Sequence, residues 1–248
     1  MPFHCYLAKK ITITQEKEAY ITRLAWSKSN NHDGYLTAGL NTGNFEILRM
    51  NDIEKKDLPL QCGILTPPDP IIFKKKFAEH LEQHSDKKTD GKSTKSSGGS
   101  AIPTQISHLQ WNNIFYKLTT ADNKGLIIVW NCRDGNSNNI TFEEDMINKR
   151  DKCTIKDLSW SIDGSKIAIV YSDNYLMVGN VNGAREMSLD ETTQKLVKVS
   201  WGSNDNSIIL LGTENCEVHA HSAKNGAFIK RVRWVRVVGF SKKIMRAI

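Results

Sequence analysis

Short apolar runs alternate with polar turns along most of the chain. Lys166-Ile167-Ala168-Ile169-Val170-Tyr171, Gly125-Leu126-Ile127-Ile128-Val129-Trp130 and Ile208-Ile209-Leu210-Leu211 are apolar almost throughout. Runs of this length, rich in β-branched and aromatic residues and bounded by turn residues, predict buried strands. Asp163-Gly164, Asn182-Gly183 and Asn225-Gly226 lie between such runs, and these pairs reach the positive φ that tight hairpins need. The expected fold class is therefore all-β.

A longer period runs through the same pattern. Four segments each open with an apolar–x–Trp strand end, then a polar turn, a β-rich run, a second turn and another β-rich run. Their anchors are Trp26, Trp111, Trp160 and Trp201. Trp111 and Trp160 are 49 residues apart, and Trp160 and Trp201 are 41 apart. Both intervals sit near the roughly 40–45-residue period of a propeller blade. Each unit reads as a four-stranded antiparallel blade with its Trp strand innermost. A lone blade cannot bury its apolar faces, whereas stacking around an axis does. The pattern predicts about four blades of a WD40-type β-propeller over residues 1–230, fewer than the roughly seven expected of a full ring. Residues 5–13, in which Cys5, Leu7, Ile11 and Ile13 alternate towards one side, fit the outer strand that closes such a ring.

The first interval, from Trp26 to Trp111, is 85 residues and about double. Residues 51–104 hold no further apolar–x–Trp signature, and Pro59, Pro67, Pro68, Pro70 and Pro103 disfavour a central strand there. The stretch from Glu82 to Ser100 is almost wholly polar and cannot bury enough apolar surface to offset its ordering entropy. Residues 82–101 are expected to be a low-complexity disordered insertion, and residues 55–80 to hold the first blade's outer strand.

Several strings longer than a generic repeat motif carry a resemblance. They are Tyr6 to Ile11 (YLAKKI), Tyr116 to Trp130 (YKLTTADNKGLIIVW), Glu143 to Arg150 (EEDMINKR), Ser159 to Asp173 (SWSIDGSKIAIVYSD) and Val178 to Gly183 (VGNVNG). In this order they resemble the N-terminal part of the WD repeat-containing protein 35 family, the WD/TPR subunits of intraflagellar transport complex A. Tubby-like proteins with WD repeats share a weaker version of the pattern. The resemblance implies a non-catalytic scaffold in retrograde ciliary transport, cilium assembly and ciliary entry of membrane proteins. It implies other complex A subunits as partners, tubby-like adaptors indirectly, and a place in the cilium, at the ciliary base and in the cytoplasm. Family members are far longer, so the chain reads as the front of such a subunit. The basic segment 231–248 departs from the family pattern.

Charge and candidate chemistry refine this picture only slightly. The net charge is +7, part of it in Lys74-Lys75-Lys76 and part between Lys230 and Arg246. That favours anionic partners, an anionic or phosphoinositide membrane surface among them. The aromatic residues form no RNP-like or OB-like stacking pattern, so nucleic acid is not an expected partner. No GxSxG, P-loop, GxGxxG or HExxH occurs, and no catalytic residue, cofactor-binding residue, metal ligand or small-molecule substrate is expected. His219 and His221 alternate on one predicted strand; ordinary strand positions and a paired-His metal site are the two readings. The five scattered cysteines, Cys5, Cys62, Cys132, Cys153 and Cys216, contain no CxxC pair and read as small reduced packers. The N-terminus lacks the charged start and long apolar core of a secretory signal, and a free-standing WD adaptor remains the alternative to the ciliary subunit.

Overall fold

The computed structural model describes residues 17–27, 34–51, 61–65, 104–134, 140–190, 194–202 and 206–233. The expected closing strand 5–13, the insertion 82–101 and residues 234–248 of the basic segment lie outside the described residues.

The described residues form sixteen strands in four antiparallel sheets, each with its strands in simple chain order. The first sheet holds β1 (Ile21–Ser27), β2 (Gly34–Leu40), β3 (Phe45–Asn51) and β4 (Gln61–Leu65). The second holds β5 (Ile106–Asn112), β6 (Lys117–Asp122), β7 (Leu126–Asp134) and β8 (Ile140–Lys149). The third holds β9 (Ile155–Trp160), β10 (Lys166–Tyr171), β11 (Tyr175–Asn180) and β12 (Arg185–Asp190). The fourth holds β13 (Leu196–Trp201), β14 (Ile208–Thr213), β15 (Glu217–Ser222) and β16 (Phe228–Arg233). β4 falls within the 55–80 window expected for the first blade's outer strand.

The Trp-bearing strands are the innermost ones. β1 packs beside β5, β5 beside β9, and β9 beside β13, so the sheets stand as consecutive blades around one axis. Burial follows from this placement. β6 is buried at every position and β10 at all but its first, because both faces of a middle strand lie between blades. β12, an outer strand, buries Met187 but leaves most of its other side chains exposed. β14 alternates: Ile209, Leu211 and Thr213 are buried against the third blade, while the residues between them are half-exposed. Three apolar clusters fill the spaces between blades one and two, two and three, and three and four.

Hairpin chemistry sets the register. Gly164, Gly183 and Gly226 adopt φ of +70°, +87° and +72°. In the turn after β9, the Asp163 carboxylate accepts from Ser165 N at 2.8 Å, and Gly164 N donates to Ser161 O at 2.9 Å. The acidic run Glu143-Glu144-Asp145 lies on the outer strand β8, where Asp145 pairs with Lys117 from β6.

Candidate interaction surface

A repeated hydrogen bond joins each blade to the one before it. Trp111 Nε1 on β5 donates to Thr37 Oγ1 on β2 at 2.9 Å. Trp160 Nε1 on β9 donates to Thr119 Oγ1 on β6 at 2.8 Å. Thr37 and Thr119 occupy the same register, each following the residue paired with its own blade's Trp. In the third blade that position is Ala168, which has no hydroxyl, and Trp201 Nε1 instead donates to the Ser159 carbonyl at 2.9 Å. These three indoles are 6–8% exposed, whereas Trp26 is 39% exposed and has no such acceptor among the described residues. A buried indole brings roughly 150–250 Å² of surface, on the order of 4–6 kcal/mol of apolar burial.

Further polar contacts lock the blades at both ends. Thr22 Oγ1 donates to Ile106 O at 2.7 Å, and His108 Nε2 lies 3.0 Å from Lys156 O. The Asp157 carboxylate accepts from Val199 N at 3.0 Å. On the turns after the Trp residues, Asn112 Nδ2 donates to Gly164 O at 2.8 Å, and Ile162 N to Asn206 Oδ1 at 3.2 Å. Burial holds the His108 imidazole below its ordinary range, which favours the neutral ring. Asp122, closing the β6–β7 turn, accepts from Lys124 N at 2.9 Å and Leu126 N at 2.8 Å. Burial nonetheless raises its carboxyl above the usual range.

Two surface features stand apart from this framework. On the rim formed by the turns after the Trp residues, Ile114, Phe115, Tyr116 and Ile162 are 40–58% exposed and lie at the neighbouring turns of blades two and three. On the outer side of the same pair of blades, Arg150 spans the cleft. Its Nε donates to Asp173 Oδ2 at 2.7 Å, and its guanidinium sits 4.1 Å from the Tyr175 ring centroid and 6.0 Å from that of Tyr171. Burial pushes the Tyr171 hydroxyl up to about 12, and it accepts from Asn148 Nδ2 at 3.2 Å. Burial opposes ionisation of Asp173, but hydrogen bonds from Arg150, Cys153 and the Tyr175 amide outweigh it and lower the carboxyl below its usual range.

His219 and His221 do lie on one face of β15, and both are buried. Their rings stack with centroids 6.2 Å apart. His219 Nε2 is 3.0 Å from Glu217 Oε2, which also accepts from Gln194 Nε2 at 3.2 Å. His221 Nδ1 is 3.0 Å from the Gly226 carbonyl. These partners are those of a packed polar cluster, and no group of three His, Cys, Asp or Glu is placed to hold a metal among the described residues. Cys132 and Cys153 are free and buried, as expected of small packers. Cys216 is free but exposed, because it occupies the β14–β15 turn at φ +60°. Cys5 and the Cys62 side chain lie outside the described set.

Four-stranded blades in chain order, each tied to its predecessor by an inner-strand Trp, define a WD-type β-propeller. The chain belongs to the WDR35/TULP4 N-terminal family, whose β-propeller pattern matches residues 3–246. It is 32% identical to rat WD repeat-containing protein 35 over 228 residues, 92% of this chain and 16% of that protein. It is 31% identical to the human protein of that name over 225 residues, 91% of this chain and 16% of that protein. Human Tubby-related protein 4 is 28% identical over 115 residues, 46% of this chain and 7% of that protein. The chain thus spans about a sixth of the WD repeat-containing protein 35 relatives. A chain from the crystal structure of the mitotic checkpoint complex superposes with a TM-score of 0.54 at 16% identity, over 88% of this chain and 54% of that one. That likeness concerns the fold alone.

Proposed function

We propose that the chain is propeller material of a non-catalytic scaffold subunit of intraflagellar transport complex A. The single observation that carries this reading is the family match across residues 3–246, together with 32% identity to rat WD repeat-containing protein 35 over 92% of the chain. The physical side is consistent with it. The blades are fixed by packing and interblade hydrogen bonds, and a rigid disc presents its rims for docking. The exposed rim residues Ile114, Phe115 and Ile162 are the kind of apolar patch that marks a protein contact.

On this reading residues 1–230 form the partial propeller, 82–101 an insertion and 231–248 a divergent basic segment. The partners are other complex A subunits, with tubby-like adaptors reached indirectly. The protein works at the ciliary base, in the cilium and in the cytoplasm, in retrograde transport, cilium assembly and entry of membrane proteins. Disruption of the gene in a ciliated cell tests this. Short cilia with transport material accumulated at their tips are expected; cilia of normal length, content and return traffic would sink the ciliary reading.

A further inference from the structure

The outer strands of the four blades differ in charge. β4 is uncharged, β8 carries three acids and one lysine, and β12 carries two acids and one arginine. β16 carries Lys230, Arg231 and Arg233 and no acid, and Lys224 lies in the turn before it. Exposure differs in the same way. β8 is half-buried over residues 146–149 and β12 buries Met187, whereas Phe228, Ile229, Lys230 and Arg231 are all exposed.

Little inside the fold satisfies this strand. Among the described residues β16 pairs with β15 alone, so its outer edge has no ladder partner. Residues 230–233 run in unbroken register with β15, and the register shift falls at Ile229. Lys224 and Lys230 have no carboxylate within ion-pair distance among the described residues. Arg231 Nη1 lies 3.7 Å from Glu217 Oε2, a carboxylate already shared by His219 and Gln194. Phe228 stands edge-on to the His219 and His221 rings, with centroids 5.7 Å and 5.5 Å away, and is still more than half exposed.

The register decides what kind of partner this edge suits. Lys230 pairs with Ala220 and Arg231 with His219, so the two cations point to opposite faces of the sheet. A flat membrane surface would meet one of them. A strand laid along the edge carries side chains on both faces and meets both. A second copy of β16 is disfavoured, because it would set like charges beside each other. A strand bearing carboxylates has the complementary charge.

We propose that the open edge of β16 takes up an extended acidic segment of a partner protein as a fifth strand of the fourth blade. Its carboxylates meet Lys230 and Arg231, and an apolar side chain packs against Phe228. Main-chain pairing supplies the affinity, and the cations supply the choice of partner. The proposal rests on the scaffold reading only in making the occupant a protein.

Fluorescence polarisation and hydrogen–deuterium exchange on the purified full chain test this. The probe is a labelled peptide of alternating Glu and Val with one Phe. Its controls are the same peptide with Lys for Glu and two N-methylated forms, each blocking one alternate set of amides. The acidic peptide is expected to bind saturably and to slow exchange in residues 228–233. The Lys peptide and one N-methylated form are expected to bind at least about tenfold more weakly. The other N-methylated form should bind nearly as well as the parent, because only alternate amides of an added strand face β16. Lys230→Glu/Arg231→Gln is expected to weaken binding at least about tenfold, with far-UV circular dichroism establishing that it is folded. Should that variant unfold, Lys230→Gln replaces it, with an expected loss of about threefold. Any of four results would overturn the proposal: no saturable binding up to about 1 mM, equal binding of the acidic and Lys peptides, indifference to N-methylation of either set, or protection that falls outside the fourth blade. Retention on phosphatidylserine vesicles, lost in the charge variant and without peptide binding, would likewise overturn it in favour of a lipid surface. Peptide binding with normal cilia after gene disruption would sink the ciliary reading alone.

Discussion

Removing the Trp160–Thr119 hydrogen bond should loosen blade three from blade two by a measurable and coupled amount. Thr119→Val keeps the volume and the β-branch but strands the Trp160 indole N–H at a site that is 0% exposed on the Thr side and 6% exposed on the Trp side. An orphaned buried donor costs about 1–3 kcal/mol. Trp160→Phe removes the donor, strands the Thr119 hydroxyl and leaves a cavity, for a cost of roughly 2–4 kcal/mol. The double variant should cost less than the sum of the two, with a coupling of about 1 kcal/mol, because no group is then stranded by its partner's loss. Trp26→Phe is the internal control. Its indole is 39% exposed and meets no equivalent acceptor among the described residues, so the change should stay within about 0.5 kcal/mol. Urea unfolding followed by circular dichroism gives each midpoint, and unchanged slopes would confine the effect to the native state. Additive Thr119 and Trp160 costs, or equal costs for Trp26→Phe and Trp160→Phe, would refute the repeated indole contact as the element that ties the blades together.

Four further outcomes follow from the geometry. Asp122→Ala strands the Lys124 and Leu126 amides and should cost about 2–4 kcal/mol, while Asp122→Asn keeps the Oδ1 acceptor and should cost less in thermal melts. Because burial raises the Asp122 carboxyl in the folded state, wild-type stability should gain relative to Asp122→Asn as pH falls through that raised value, and a gap that shrinks instead would contradict the buried-acid account. The depressed Asp173 carboxyl acts in the opposite sense, contributing stability above its unfolded value near ~3.9 that is lost as pH falls through its folded value; Asp173→Asn should flatten the acid limb of the stability curve. Gly125 and Gly183 share φ near +88°, but a Cβ would lie 2.0 Å from Cys153 O at the first and 3.6 Å from its nearest atom at the second. Gly183→Ala should cost about 1–2 kcal/mol, Gly125→Ala several kcal/mol more, and equal melting temperatures would refute the contact.

The blade pattern was legible because its cause is local. Trp160 ends a strand whose middle-strand partner is apolar on both faces, and a run such as Lys166–Tyr171 can only be a strand buried between layers. The turn pairs reported their own φ. The acceptors were not legible, since Thr37 and Thr119 look like ordinary strand threonines until register pairs them with the next blade's indole. Alignment of the four repeats by strand position would have suggested them, along with the Ala168 that forces Trp201 onto a carbonyl. His219 and His221 were placed correctly on one face, but sequence could not show that Glu217 meets the His219 Nε2 and the Gly226 carbonyl meets the His221 Nδ1.

The scaffold assignment meets its most direct test in affinity purification of the tagged chain, expressed from its own locus in ciliated cells, with quantitative mass spectrometry. The account predicts co-enrichment of several intraflagellar transport complex A subunits at comparable abundance, surviving moderate salt because a folded interface and not bulk charge holds them. A chain recovered without those subunits, or with an unrelated set of partners at similar yield, would contradict it.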